Sequence, residues 1–160
     1  MKTCLVGCGG IAAVHGSVLT SDIDTEFVAA ADIKPEKAQT YAENFHTKPY
    51  PSLESMLEAE KPDVLHICTP HYLHVPMAIY SLERNINVFM EKPPAISFDQ
   101  LEELKKAAAK SDAQLGFCYQ NRYNASIRAA KDLIDSGKAG KVLGARAFVT
   151  WCRGAAYYTE

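Results

Sequence analysis

Thr3-Cys4-Leu5-Val6 runs directly into Gly7-Cys8-Gly9-Gly10-Ile11-Ala12 near the start of the chain, and this junction decides the fold. A short apolar run ends in G-x-G-x-x-A, and residues 13–19 can form a helix after it. That order of strand, glycine turn and helix is the entry of a dinucleotide-binding βαβ unit. Each small residue has a task in such a turn. Gly7 permits the tight bend, Gly9 lets backbone approach a pyrophosphate, and Ala12 lets the helix pack close to the strand. Gly10 and Ile11 complete the loop. Phosphates would rest at the helix N-terminus, where unpaired N–H groups and the dipole favour negative charge. The opening also has a basic residue, Lys2, ahead of apolar ones, but the glycines and His15 interrupt the apolar core that a secretory leader requires.

Outward from this junction, β-rich runs at 3–6, 27–31, 64–68, 87–90 and 114–118 alternate with longer segments of helical period. Alternation of this kind predicts an α/β fold, a Rossmann doubly wound parallel sheet with helices on both faces. Pro35 opens a helix to about residue 44, and Ser52 caps a short one that ends near 61–62. Ser97 and Gln100 have the spacing of a capping box. The helix they start carries Leu101, Leu104 and Ala108 on one stripe, with a Glu102/Lys106 pair outside, and stops at Ser111-Asp112.

After residue 118 the character changes. Residues 124–135 read as an amphipathic helix with Ile127, Ala130, Leu133 and Ile134 inward, closed by Gly137. Residues 142–151 alternate like a strand with Gly144 as its weak point, and such a strand needs a sheet edge, a second copy or a further segment to pair with. The expected organisation is therefore a dinucleotide-binding domain over 1–118, with 119–160 forming a connecting helix and the first strand of an incomplete α+β substrate domain. A homo-oligomer, most simply a dimer, is expected through that strand.

Composition narrows the partners. A chain of 160 residues, 48% of them hydrophobic, supports one domain and a remnant. Its 17 basic and 19 acidic residues are interleaved, for a net charge of −2, which argues against nucleic acid. No run approaches the roughly 18 apolar residues of a membrane span. Of the five cysteines, Cys4, Cys68, Cys118 and Cys152 lie in or beside apolar runs and read as buried thiols of a cytoplasmic protein. There is no C-x-x-C pair. The histidines at 15, 46, 66, 71 and 74 have no coherent ligand spacing, so no metal is expected.

Asp32 strengthens the glycine motif. It follows Ala12 by twenty residues and ends the second β-rich run, where its carboxylate can accept from both hydroxyls of an adenosine ribose. A 2′-phosphate there would meet a like charge, so NAD is favoured over NADP, with Lys34 as the counter-argument. The alternative task for Asp32 is to cap the helix at Pro35. A class-I methyltransferase shares a glycine loop and an acid at these places, so the decision falls on the later strand ends.

Those ends are Cys68-Thr69-Pro70 and Met90-Glu91-Lys92-Pro93-Pro94. With the G-x-G-x-x-A turn, Asp32, T-P-x-x-x-H from Thr69 to His74 and E-K-P from Glu91 to Pro93, the chain resembles the Gfo/Idh/MocA family of NAD(P)-dependent oxidoreductases along nearly its whole length. E-K-P is the most specific element, and a methyltransferase does not account for it. The resemblance implies hydride transfer between a nicotinamide cofactor and a sugar, cyclitol or similar polyol. It makes Lys92 the active-site lysine, hydrogen-bonded to the substrate oxygen; the plainer alternative is a solvated lysine paired with Glu91. It further implies that Glu91 holds the ribose or the lysine, that Thr69 and Pro70 line the pyrophosphate and nicotinamide, that Lys92-Pro93 is cis, and that Arg122 stands near the nicotinamide. His74 is either a helix-start residue or a proton carrier. The family's relay, an aspartate a few residues before a histidine, has no match, since the last histidine is His74. Trp151, Arg153, Tyr157 and Tyr158 resemble the segment that precedes the relay. Cofactor binding without efficient turnover is the expectation for this chain, and a non-catalytic NAD(H)-binding sensor or assembly module is the alternative.

Overall fold

A computed structural model of the chain describes residues 1–155. Two compact units divide it, Met1–Tyr119 and Gln120–Glu160. In the first, strands β1 (Lys2–Val6), β2 (Glu26–Ala31), β3 (Lys48–Tyr50), β4 (Val64–Ile67), β5 (Asn87–Glu91) and β6 (Leu115–Cys118) alternate with helices α1 (Gly10–Ser21), α2 (Pro35–Phe45), α3 (Leu53–Glu60), α4 (His71–Leu82) and α5 (Phe98–Lys110). All neighbouring strands pair in parallel, in the order β3-β2-β1-β4-β5-β6. The order reverses between β1 and β4, and in such sheets the ligand crevice opens outside the carboxyl ends of the strands at that point.

Side-chain alternation along the strands splits the core in two. Cys4, Val6, Ala29, Ala31, Leu65, Ile67, Val88 and Met90 pack with Leu53, Met56, Val75, Ala78, Leu82 and Leu104 of α3, α4 and α5. Leu5 and Ala30 face the other way, toward Ala12 and Leu19 of α1 and Tyr41 of α2. The doubly wound parallel sheet is as the alternation predicts. The sixth strand, β3, is a finding: Lys48-Pro49-Tyr50 has no apolar run, and its proline is tolerated because the strand lies at the sheet's edge.

The caps are close to expectation. Ser52 accepts the Ser55 N–H, and Ser97 accepts the Gln100 N–H at 3.2 Å. Gln100 reaches back one residue further than a capping box requires, to the N–H of Ile96. Glu102 pairs with Lys105 at 2.8 Å in place of Lys106, since positions three apart are also neighbours on a helix.

The second unit contains a short 3₁₀ turn, Gln120–Tyr123, and helix α6, Ala125–Asp135, followed by Gly137 in the left-handed region at φ 73°. Two expectations are corrected there. Ile127, Leu133 and Ile134 are about half exposed, because an apolar stripe becomes core only where a second surface covers it. Residues 142–151 form no strand, since no neighbouring segment among the described residues supplies a ladder, and Cys152 is exposed. Tyr157 and Tyr158 lie outside the described residues, while Arg153 stacks on Trp151 with its guanidinium 4.9 Å from the ring centre. Among the described residues no helix is long and apolar enough to cross a membrane.

Candidate cofactor site

The glycine turn sits where β1 meets β4. Gly7 has φ +91°, and a Cβ there would lie 2.7 Å from the Cys68 carbonyl carbon and the Thr69 nitrogen, so both the conformation and the approach of β4 demand glycine. Gly9 caps α1 without any side-chain partner, and a Cβ added at Gly9 or Gly10 meets nothing within 4 Å. The first turn of α1 therefore opens onto empty space. Ile11 is exposed beside it and Ala12 is fully buried against the strand. Gly16, which carries no part of the motif, is tightly packed: a Cβ there would come within 2.5 Å of the Tyr41 hydroxyl, which itself donates to the Ala12 carbonyl, so that side chain would have to shift.

Asp32, just past β2, holds this turn in place. One carboxylate oxygen accepts the Cys8 N–H at 2.8 Å and the other accepts the Lys34 N–H at 2.9 Å. The residue does not cap α2, whose cap position is Lys34. Each oxygen retains a lone pair that ribose hydroxyls can use. Beside it, burial and the Asp32 charge push the Cys8 thiol up to about 12, so it is no nucleophile near neutral pH.

Past β4, Pro70 caps α4, also without a side-chain hydrogen bond. Thr69 Oγ1 is buried and has no hydrogen-bond partner among the described residues. Groups left in this state mark a place where a ligand or water completes the bonding. His74 is fully buried, its Nε2 2.9 Å from the Thr69 carbonyl and its Nδ1 2.8 Å from the Pro93 carbonyl. A neutral imidazole carries one N–H, so the ring donates to one of the two carbonyls and packs its other nitrogen against the second, standing between the two loops.

Glu91 ends β5, and the Lys92-Pro93 bond is cis. Lys92 is exposed, and among the described residues no ion pair joins its amine to Glu91. Glu91 instead accepts the backbone N–H of Lys92 at 3.2 Å. Its other oxygen lies 3.1 Å from Nε2 of His15, a buried α1 residue, whose Nδ1 is 3.0 Å from Nδ1 of His66 on β4. Burial alone would raise the Glu91 carboxyl, but hydrogen bonds from His15 and Cys118 outweigh it and hold it below the usual range. Burial and then the neighbouring His15 lower His66 to about 4, so it is neutral at pH 7. A donor atom of each of His15, Glu91 and Cys118 lies within 4.8 Å of the others.

Spacing along the chain does not bring His15, His66, Glu91 and Cys118 together. A signal was nevertheless present: Ala12, His15, Gly16 and Leu19 form the buried stripe of α1, and His66 and Glu91 occupy strand positions that point to the α1 face. Arg122 lies exposed on the 3₁₀ turn of the second unit.

Known proteins agree with this construction. The chain is 28% identical over 144 residues to the D-glucoside 3-dehydrogenase of Escherichia coli, covering 89% of this chain and 41% of that protein. It is 28% identical over 151 residues to the inositol 2-dehydrogenase/D-chiro-inositol 3-dehydrogenase of Lacticaseibacillus casei, covering 92% of this chain and 44% of the other. Among solved structures, the WlbA dehydrogenase of Bordetella pertussis in complex with NADH and UDP-GlcNAcA superposes with a TM-score of 0.84 at 31% identity, over 87% of this chain and 43% of that one. The chain thus spans about two fifths of the length of these relatives. Residues 1–119 match the oxidoreductase family with an NAD-binding Rossmann fold. On a match of that extent, over a six-stranded parallel sheet, the chain belongs to the Gfo/Idh/MocA oxidoreductases and carries their NAD-binding domain.

Proposed function

We propose that this chain is the NAD-binding part of a dehydrogenase that oxidises a secondary hydroxyl of a sugar, cyclitol or similar polyol, with Lys92 as the substrate-contacting group. The observation that carries this reading is the exposed lysine at the carboxyl end of β5, on the same sheet edge as the glycine turn, with its own backbone anchored by Glu91. Bound NAD supplies the hydride acceptor. The amine of Lys92 hydrogen-bonds the substrate oxygen and stabilises the charge that develops there as the hydride is transferred and the hydroxyl proton passes to solvent at this exposed position. Asp32 accepts from the ribose hydroxyls and repels a 2′-phosphate, which favours NAD over NADP. Gly9, Gly10 and Ile11 receive the pyrophosphate, Thr69 Oγ1 donates to the nucleotide, and Pro70 lines it. Residues 119–160, which carry Arg122, begin the substrate-facing domain. The polyol class is supported by relatives that are glucoside and inositol dehydrogenases.

Calorimetric titration tests the reading. The intact chain is expected to bind NADH more tightly than NADPH, and Asp32→Ala to lose about tenfold or more in NADH affinity. Lys92→Ala is expected to leave NADH affinity nearly unchanged. An intact chain that takes up no NADH, or an Asp32→Ala chain that binds it equally well, overturns the assignment.

A further inference from the structure

Glu91 is 4% exposed, and its two oxygens serve different elements. Oε1 meets Nε2 of His15, a residue 76 positions earlier on α1, while Oε2 accepts the N–H of Lys92. The carboxylate therefore bridges an imidazole and the peptide of the lysine. Because Nδ1 of His15 faces Nδ1 of His66, both ring nitrogens are engaged and the ring cannot turn without losing a contact. Phe89 packs against both rings, its centroid 5.1 Å from that of His66 and 6.0 Å from that of His15. The titratable groups facing this chain of bonds are His15 from α1, His66 from β4, Glu91 from β5, the Cys118 thiol from β6, and Cys68 behind them. Nothing in the proposed chemistry uses His15 or His66.

We propose that His15 is a positioning residue for Lys92: its ring, oriented by His66, holds the Glu91 carboxylate where that carboxylate anchors the Lys92 amide. The purpose of the device rests on Lys92 being the substrate-contacting lysine, while its geometry does not. A leucine at position 15 removes the stronger of the two donors, His15 and Cys118, that offset the burial of Glu91. The carboxylate must then take up a proton or turn away, and either change releases the Lys92 N–H.

Amide hydrogen exchange on the intact chain, without nucleotide, reads this directly. His15→Leu is expected to speed exchange at the Lys92 amide about tenfold or more relative to the Ala30 amide on β2. His15→Gln, whose side-chain amide still donates, restores most of the protection. His66→Phe keeps the aromatic packing but frees the His15 ring, and it moves Lys92 in the same direction by a smaller factor; this variant decides the matter if His15→Leu does not fold. Equal acceleration at Lys92 and Ala30 means that His15 is only a packing residue, and an unmoved Lys92 amide means that the bridge holds nothing; either overturns the proposal. A parallel NADH titration keeps the two readings apart. A chain that shows the exchange pattern but binds no NADH loses the cofactor assignment and keeps the positioning one.

Discussion

The carboxyl ends of β1 and β2 and those of β4 and β5 share one edge of the sheet, yet they hold their loops by different means. At the first, Asp32 reaches across 24 residues to the Cys8 N–H, and everything else is glycine, backbone and open space. At the second, the loops are tied by buried side chains, His74 between two carbonyls and Glu91 between His15 and Lys92. The difference follows from what each end has to do. A nucleotide's phosphates bind to backbone N–H groups, so side chains must stay out of the way, whereas a lysine that meets substrate must be aimed, and aiming needs bonds from several elements.

The largest effect is expected at Gly7. Gly7→Ala places a Cβ 2.7 Å from the Cys68-Thr69 backbone just past β4 at φ +91°, and it is expected to cost about 3 kcal/mol or more, read as a lower urea midpoint with an unchanged slope. Acid should then loosen the β4 and β5 end first. Below pH 6.5 the unfolded chain protonates His66, while the folded chain resists down to about pH 4. Falling pH therefore favours unfolding across that window, by up to about 3 kcal/mol. His66→Gln should flatten stability over the same range, and a profile that is level in the parent chain would contradict the burial of the imidazole pair. Glu60, held at about 2 by Tyr50 and Lys48, loses its contribution only at lower pH, between 4.5 and about 2.

A smaller effect sharpens the β1 and β2 end. Asp32→Asn keeps an acceptor for the Cys8 N–H but removes the charge, so the preference for NADH over NADPH should narrow by about tenfold in paired titrations. The smallest effect belongs to the opposite edge of the sheet. Glu60→Gln weakens contacts to Lys2, Lys48 and Tyr50 and should cost about 1 kcal/mol in stability, with NADH affinity unaltered. A change in affinity there would mean that the two edges are coupled.

The two ends also differ in how far they could be read from the chain. Gly7, Asp32 and the E-K-P segment are legible because their tasks depend on local geometry: a bend, a strand end, a turn. Their chemistry travels with a few adjacent residues. The roles of His15 and His66 are not local. A histidine on the buried stripe of α1 and another on β4 become a pair only when the sheet order β1-β4-β5 brings them beside Glu91. The same limit explains β3, whose three residues take strand form only because β2 offers a ladder, and the segment 142–151, which has strand alternation and no ladder.

By itself, the sequence determined the alternation of strands and helices, the glycine turn, the acid at the end of β2 and the lysine after β5, because side-chain period, backbone conformation and spacing are properties of contiguous residues. Only the tertiary structure decided that Asp32 clamps the turn in place of capping α2, that His74 is spent on two carbonyls, and that Glu91 bonds the Lys92 peptide and leaves the amine alone. Each of these is a choice among competing hydrogen-bond partners, which only the packing of the strand ends settles; for the buried His74 and Glu91 it also removes water as the alternative.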